Sequence, residues 1–325
     1  MISASRVSNQ LISPLAIWVG LIVFFAFSCS EQPTTPNFET KLVVNGFLKL
    51  GSGVDSVTVS RTIPINQKFD LSISRVTDAV VLLRPAGGRW QQLLQYPPWP
   101  VKDDQGSVIG YVGGVYYLPI DSLRIEAGET YELSVSALGQ TVKAATTVPD
   151  QIAILEMNRG SNFGERPLFL SGDTIEYISG ASFADPPFFT VFWQHVPGVT
   201  IYRMIADADN GVFDNIIRDT TTAANIFKED LEKREEPFGF NLADDPQLQP
   251  MKARVIWLYF YYYGWHTMRL LATDAVYAQY MQGQLGDNQI TETPRSNIQG
   301  GFGVFASYSE TNFRVYVKKG PWSEP

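Results

Sequence analysis

Residues 55–63 read Asp-Ser-Val-Thr-Val-Ser-Arg-Thr-Ile, and residues 130–137 read Thr-Tyr-Glu-Leu-Ser-Val-Ser-Ala. In the first stretch Val57, Val59 and Ile63 alternate with Ser56, Thr58, Ser60 and Thr62. In the second, Tyr131, Leu133, Val135 and Ala137 alternate with Thr130, Glu132, Ser134 and Ser136. Successive side chains of a strand point to opposite faces, so a period of two describes strands with one buried and one wet face. Antiparallel sheets accommodate that pattern.

Working outward, further short strands are predicted over Lys41–Leu48, Ala79–Leu83, Trp90–Tyr96, Val115–Leu118 and Thr141–Val148, with Leu138-Gly139-Gln140 as a hairpin turn between two of them. About seven short strands in residues 39–149, separated by Gly, Pro and Asp turns and without a helical period, describe an immunoglobulin-like or transthyretin-like β-sandwich. Strand patterning lapses over 150–172, which reads as a linker. A second β-rich domain, 173–325, follows. Its candidate strands are Thr174–Phe183, Phe188–Val196, Thr200–Ala206, Val212–Arg218, Lys252–Tyr263, Thr267–Ala272 and Asn312–Lys318. Trp193 and Tyr202 on successive strands resemble the core aromatics of a fibronectin-like sandwich. One short helix is expected from Thr273 or Asp274 to Gly283, because Val276, Tyr277, Tyr280 and Met281 recur at helical spacing after a capping residue. The charged stretch Phe227–Pro250 reads as a long surface loop.

The N-terminus carries a different signal. Arg6 is the only charge before an apolar run from Leu15 to Phe27 that leads into Ala26-Phe27-Ser28-Cys29. A short apolar core followed by small residues is the pattern of a secretory signal peptide. It resembles a bacterial lipobox, which assigns residues 1–28 to the signal and makes Cys29 the acylated first residue of the exported chain. The uninterrupted run is 13 residues, short of the roughly 20 that span hydrocarbon. Residues 29–38, with Pro33 and Pro36, form a tether on the order of 25–30 Å long.

Composition excludes several activities. The 325 residues carry 25 Lys and Arg against 33 Asp and Glu, a net charge of −8, with two His and one Cys. Nucleic-acid affinity draws on clustered cations, so an acidic chain is not expected to bind it. Three Cys and His residues in total do not make a structural zinc site, and one Cys makes no internal disulfide. No metal or cofactor is expected.

Candidate residues each carry an ordinary alternative. His195 and His266 lie some seventy residues apart and read as structural histidines rather than acid–base or metal ligands. Asp207-Ala208-Asp209-Asn210-Gly211 begins like a calcium loop, but Gly211 stands at the third ligand position and Arg218 where a bidentate Glu belongs, so a turn at Asn210-Gly211 is expected. Gly300-Gly301-Phe302-Gly303 has no following Lys-Ser/Thr and reads as a bend that docks Phe302 and Phe305. The acid pairs Glu235-Glu236 and Asp244-Asp245 fall in the expected loop. The aromatic run 257–265 is the main candidate for a binding surface. If it is one strand, Trp257, Tyr259, Tyr261 and Tyr263, with Trp265 beyond them, share a face, either buried as core or presented to a sugar, peptide or protein.

Several segments together resemble a family of Bacteroidota lipoproteins catalogued as domain of unknown function 4249. They are Leu42-Val43-Val44-Asn45-Gly46, Val57 to Thr62, Val76 to Leu82, Ala127-Gly128-Glu129-Thr130-Tyr131 leading to Val148-Pro149, and Asn297 to Phe305. The resemblance covers about Thr40 to Lys318. It brings no established activity; it implies a cell-envelope lipoprotein in the company of a TonB-dependent outer-membrane transporter. The expectation is therefore a lipid-anchored, non-enzymatic accessory or ligand-binding protein of the outer membrane. A structural or adhesive surface lipoprotein is the alternative. An exported hydrolase stays open only because a glycosidase needs no more than two carboxylates.

Overall fold

A computed structural model describes residues 38–102, 105–159, 168–177, 188–217, 238–243, 250–284 and 296–320. The expected signal segment, Cys29 and nearly all of the tether lie outside the described residues, as do the two acid pairs. The N-terminal half contains β1 (Leu42–Lys49), β2 (Val54–Arg61), the one-turn helix α1 (Leu71–Ser74), β3 (Val80–Pro85), β4 (Gln91–Gln92), β5 (Leu94–Gln95), β6 (Trp99–Lys102), β7 (Val108–Val112), β8 (Val115–Leu118), β9 (Thr130–Ala137) and β10 (Gln140–Thr147). The C-terminal half contains β11 (Ile154–Asn158), β12 (Thr174–Tyr177), β13 (Phe189–Trp193), β14 (Ile201–Ala208), β15 (Phe238–Ala243), β16 (Met251–Val255), β17 (Gly264–Thr273), α2 (Ala275–Gln284) and β18 (Phe302–Lys319). The chain is mainly β, as its alternation dictates.

The hairpin expected at Leu138-Gly139 joins β9 to β10, with both residues at positive φ, 52° and 71°, as a two-residue turn of this hand requires. Three differences stand out against the expected strands. Of the strand expected over 212–218, the described residues 212–217 do not form one: Phe213–Asn215 is a 3₁₀ turn after the bend at Asp209 and Asn210. Residues 238–243, inside the expected long loop, form β15 and pair antiparallel with β14. Residues 154–158, inside the expected linker, form β11 and pair with β13.

Two hydrophobic cores divide the chain near residue 150. The first gathers Leu42, Val44, Val57, Val59, Val81, Leu133 and Val135 from β1, β2, β3 and β9, and takes Ile298 and Phe305 from the far end of the sequence. The second gathers Phe189, Trp193, Tyr202, Met204, Val255, Met268 and Val315. Trp193 and Tyr202 are fully buried there, rings crossed at 68° with centroids 5.3 Å apart, and the Tyr202 hydroxyl accepts the Val196 N–H at 2.8 Å.

One strand serves both cores. The nine-stranded sheet runs β15-β14-β17-β18-β1-β2-β8-β5, with β12 also paired to β18. The start of β18 pairs in parallel with β1, from Val43 opposite Phe302 to Lys49 opposite Tyr308. Its later part pairs antiparallel with β17, from Thr273 opposite Tyr308 to Gly264 opposite Val317. Alternate hydroxyls of β18 also stitch down the segment between the cores. Ser307 Oγ donates to the Thr147 carbonyl at 2.9 Å, Ser309 Oγ to that of Asp150 at 2.7 Å, and Thr311 Oγ1 to that of Ile152 at 2.8 Å. Each satisfies a carbonyl that would otherwise lose its water on burial.

The glycine-rich bend makes this approach possible. Gly303 has φ +112°, and a Cβ there would collide with the Val44 carbonyl oxygen. Only the hydrogen side chain of glycine meets both demands. Phe305 then docks fully buried, whereas Phe302, expected beside it, is 36% exposed because the bend turns it outward.

Candidate functional site

The run 257–265 is not one strand. β16 ends at Val255, Trp257–Tyr259 forms a 3₁₀ turn, and β17 begins only at Gly264. The intervening residues brace the second core. Ile217 N–H donates to the Tyr261 carbonyl at 2.8 Å, Tyr263 N–H to that of Asn215 at 2.7 Å, and the Tyr262 ring lies against Gly211. The shared face expected of a strand is thereby lost. Tyr259 is buried in the core, and that burial raises its phenol pKa. Trp257, Tyr261 and Tyr263 are half-buried, and Tyr263 meets Tyr177 edge-on at 6.2 Å. Trp265 alone of the five candidates is exposed, at 39%.

Trp265 sits on the outer face of β17, opposite Tyr316 of β18, their rings 5.2 Å apart. The Arg314 guanidinium stacks on the Trp265 ring 4.6 Å from its centroid and is ion-paired with Asp209. Asp209 also accepts from Thr267 Oγ1 at 3.0 Å. An indole, a phenol and an oriented guanidinium on a rigid sheet face supply stacking area with polar handles, the composition of binding hot spots. The aspartate expected in a turn thus holds this arginine. Arg314 and Tyr316 were missed by sequence reasoning; the only signal was that their strand alternates out of phase with buried Phe313, Val315 and Val317.

His266 points the other way and is buried, its ring edge-on to Phe260 at 5.0 Å. Its Nδ1 lies 3.1 Å from the Gly264 carbonyl, so Nδ1 carries the proton. Burial holds its pKa below the ordinary value, against the smaller opposing effects of that bond and of Asp209 and Asp207. His195 lies at the far end of β13, half-buried. The structure does not bring the two histidines together as ligands. Among the described residues no group of three His, Cys, Asp or Glu gathers to hold a metal ion.

A cleft of about 400 Å³ opens between the two cores, lined by Thr130, residues 145–150, Pro197 to Val199 and Asp274 to Val276. At its floor Asp274 caps α2, its Oδ1 accepting the Tyr277 N–H at 2.7 Å, while Thr146 Oγ1 donates to its Oδ2. The Thr146 and Ser307 hydroxyl oxygens lie 2.8 Å apart. Burial raises the Asp274 carboxyl above its ordinary pKa, outweighing these bonds. The helix starts where the sequence places it, with Asp274 rather than Thr273 as the cap. Thr273 instead donates to the Ile201 carbonyl at 2.8 Å. Every oxygen of the Asp274 carboxylate is thus committed to holding the junction.

On the other face of β18, Glu310 is the buried hub of a cationic cluster, its side chain 3% exposed. Arg269 donates from Nε at 3.1 Å and Nη2 at 2.7 Å, and Lys49 Nζ at 3.1 Å. These bonds hold the carboxyl below its ordinary pKa although burial alone would raise it. Three strands, β1, β17 and β18, are pinned by one carboxylate.

A mainly β chain whose last strand closes the sheet of its first half, with an aromatic patch on its outer face, is the class this geometry defines. The chain belongs to the family described as Domain of unknown function (DUF4249), whose model matches residues 30–314. A comparison with curated proteins found no match.

Proposed function

We propose that the chain is a lipid-anchored, non-enzymatic accessory or ligand-binding protein of the outer membrane, attached through acylated Cys29 and working beside a TonB-dependent transporter. The observation that carries the binding half of this reading is the exposed Trp265, Tyr316 and Arg314 cluster, fixed in orientation by Asp209. The catalogue of side chains around it favours recognition over chemistry: stacking surfaces and a held cation, with the nearby histidine buried beneath. The lipobox-like sequence ending at Cys29 supports the anchoring half.

The test is affinity purification of the tagged lipoprotein from membranes, with Trp265→Ala and Tyr259→Ala compared against wild type. Trp265→Ala should lose the co-purifying transporter at unchanged melting temperature. Tyr259→Ala should instead lose about 3–5 kcal/mol of stability, since it empties a core site. Retention of the partner by a folded Trp265→Ala protein would move the recognition surface elsewhere. Replacing Cys29 with Ala should abolish lipid labelling; a mature N-terminus at another residue would overturn the anchor.

A further inference from the structure

Large exposed apolar side chains gather at one end of the N-terminal half. The segment between β2 and β3 presents Ile65, wholly exposed, with Phe69 at 66% and Leu71 at 41%. The β6–β7 hairpin, which forms a two-stranded sheet of its own, presents Trp99, Ile109 at 67% and Tyr111 at 64%. The two pieces touch, for a Cβ on Gly110 of β7 would meet Ser72 of α1 at 3.8 Å. Trp99, paired with Val112, shares the hairpin face that meets α1, and Tyr111, paired with Pro100, covers the opposite face, so exposed apolar groups lie on both faces of a projecting ribbon. Such a concentration is uncommon on a chain that stays free in water, and marks a contact.

Its position identifies the contact. Lys41, the residue before β1, is clamped to Thr62: its N–H donates to Thr62 Oγ1 at 2.9 Å and its carbonyl accepts the Thr62 N–H at 2.9 Å. Gln140 Nε2 donates to the Thr40 carbonyl at 2.6 Å, fastening the entering chain from the other sheet. The chain therefore enters the fold three residues from Ile65, at the end where Val59 N–H bonds the Gly114 carbonyl and β7 hands over to β8. Cys29 lies 12 residues before Lys41. At full extension that reaches about 40 Å, so a membrane holding Cys29 lies within reach of this end first. Charge agrees. Residues 61–75 carry Arg61, Lys68 and Arg75 against Asp70, a net of 3 − 1 = +2, and the hairpin stretch 99–112 carries Lys102 against Asp103 and Asp104, a net of 1 − 2 = −1, so the two pieces sum to +1 in a chain of net −8. Cations beside apolar and aromatic side chains suit a phospholipid headgroup layer, where tryptophan and tyrosine settle at the interface.

We infer that this end of the N-terminal half is a lipid-contacting surface: Ile65, Phe69, Leu71, Trp99, Ile109 and Tyr111 seat in the headgroup region of the bilayer that holds the anchor. This rests on the proposed acylation of Cys29. Several acyl chains hold the protein at the membrane but leave its orientation free, and a protein-borne contact fixes the orientation of the domain.

Trp99 provides the readout. The purified lipoprotein is reconstituted into vesicles of phosphatidylethanolamine and phosphatidylglycerol containing a brominated phosphatidylcholine, and its emission is compared with that of Trp99→Phe. The difference between the two, the Trp99 contribution, should be quenched at least twofold relative to unbrominated vesicles. The corresponding Trp265→Phe difference should be unquenched. Equal quenching of both, or none of Trp99, overturns the inference and leaves the apolar end as a protein-docking surface. Mass spectrometry of the N-terminal peptide reads the anchor separately. If Cys29 proves unmodified, the same quenching is measured on the chain mixed with these vesicles, and its presence or absence still decides the surface.

Discussion

Replacing Glu310 with Gln isolates the charge at the centre of the three-strand pin while keeping its shape. Wild-type Glu310 receives bonds of 2.7, 3.1 and 3.1 Å from Arg269 and Lys49. Removing one partner of a buried pair costs about 3–5 kcal/mol when the other is left stranded. Here Arg269 and Lys49 keep 27% and 33% of their side chains in solvent and rehydrate in part, so about 2 kcal/mol is expected at neutral pH. The pH dependence has a definite sign. Because the folded carboxyl titrates below its unfolded value near 4.5, the unfolded chain takes up the proton first as pH falls. The contribution is complete above that value and fades as pH drops toward and through the folded pKa. Urea unfolding followed by tryptophan emission, at pH 7 and again below pH 4, should show a gap of about 2 kcal/mol between the two proteins that narrows in acid. A gap under about 0.5 kcal/mol, or one that persists undiminished in acid, would refute Glu310 as the electrostatic hub.

Two further outcomes follow from the geometry. Gly303→Ala places a methyl against the Val44 carbonyl at a positive φ, so a loss of about 3 kcal/mol or more and a disturbed β1–β18 pairing are expected, measured by thermal melting and amide exchange at Val304 and Phe305. For His266 the folded pKa is lowered, so stability is complete above about 6.5 and declines as pH falls through the folded value; His266→Leu should flatten that decline below pH 6.5 in denaturant titrations.

Much of the first half was legible because its strands keep one wet face. Val57 and Val59, or Tyr131, Leu133 and Val135, mark the core side unambiguously against Ser and Thr. β18 was read only over its last residues, since Ser307 and Ser309 occupy fully buried positions where alternation calls for apolar groups. They are admitted because each hydroxyl has a carbonyl waiting, Thr147 at the end of β10 for Ser307 and Asp150 just beyond it for Ser309, partners set by tertiary structure and invisible to periodicity. The aromatic run failed for the opposite reason. A stretch that is apolar at every position has no period, and Trp257–Tyr259 coiled into a 3₁₀ turn without altering the pattern. Of the candidate site, the sequence exposed Trp265 and concealed its neighbours, since Arg314 and Tyr316 join it only through a cross-strand register.

The parallel pairing of β1 with β18 also sets a clock. Asn45 and Val304, bonded to each other at 3.2 Å, are 259 residues apart, so the second neighbour of the first strand is synthesised 259 residues after it. At about 5–20 residues per second that delay is roughly 13–50 s. Throughout it the nascent N-terminal half holds β1 as an open edge of Leu and Val, lacks Phe305 in its core, and invites strand addition from any neighbouring chain. Completion is thereby tied to residues 302–317: a chain truncated before residue 302 leaves β1 without its second partner and β17 without β18, and both cores unfinished.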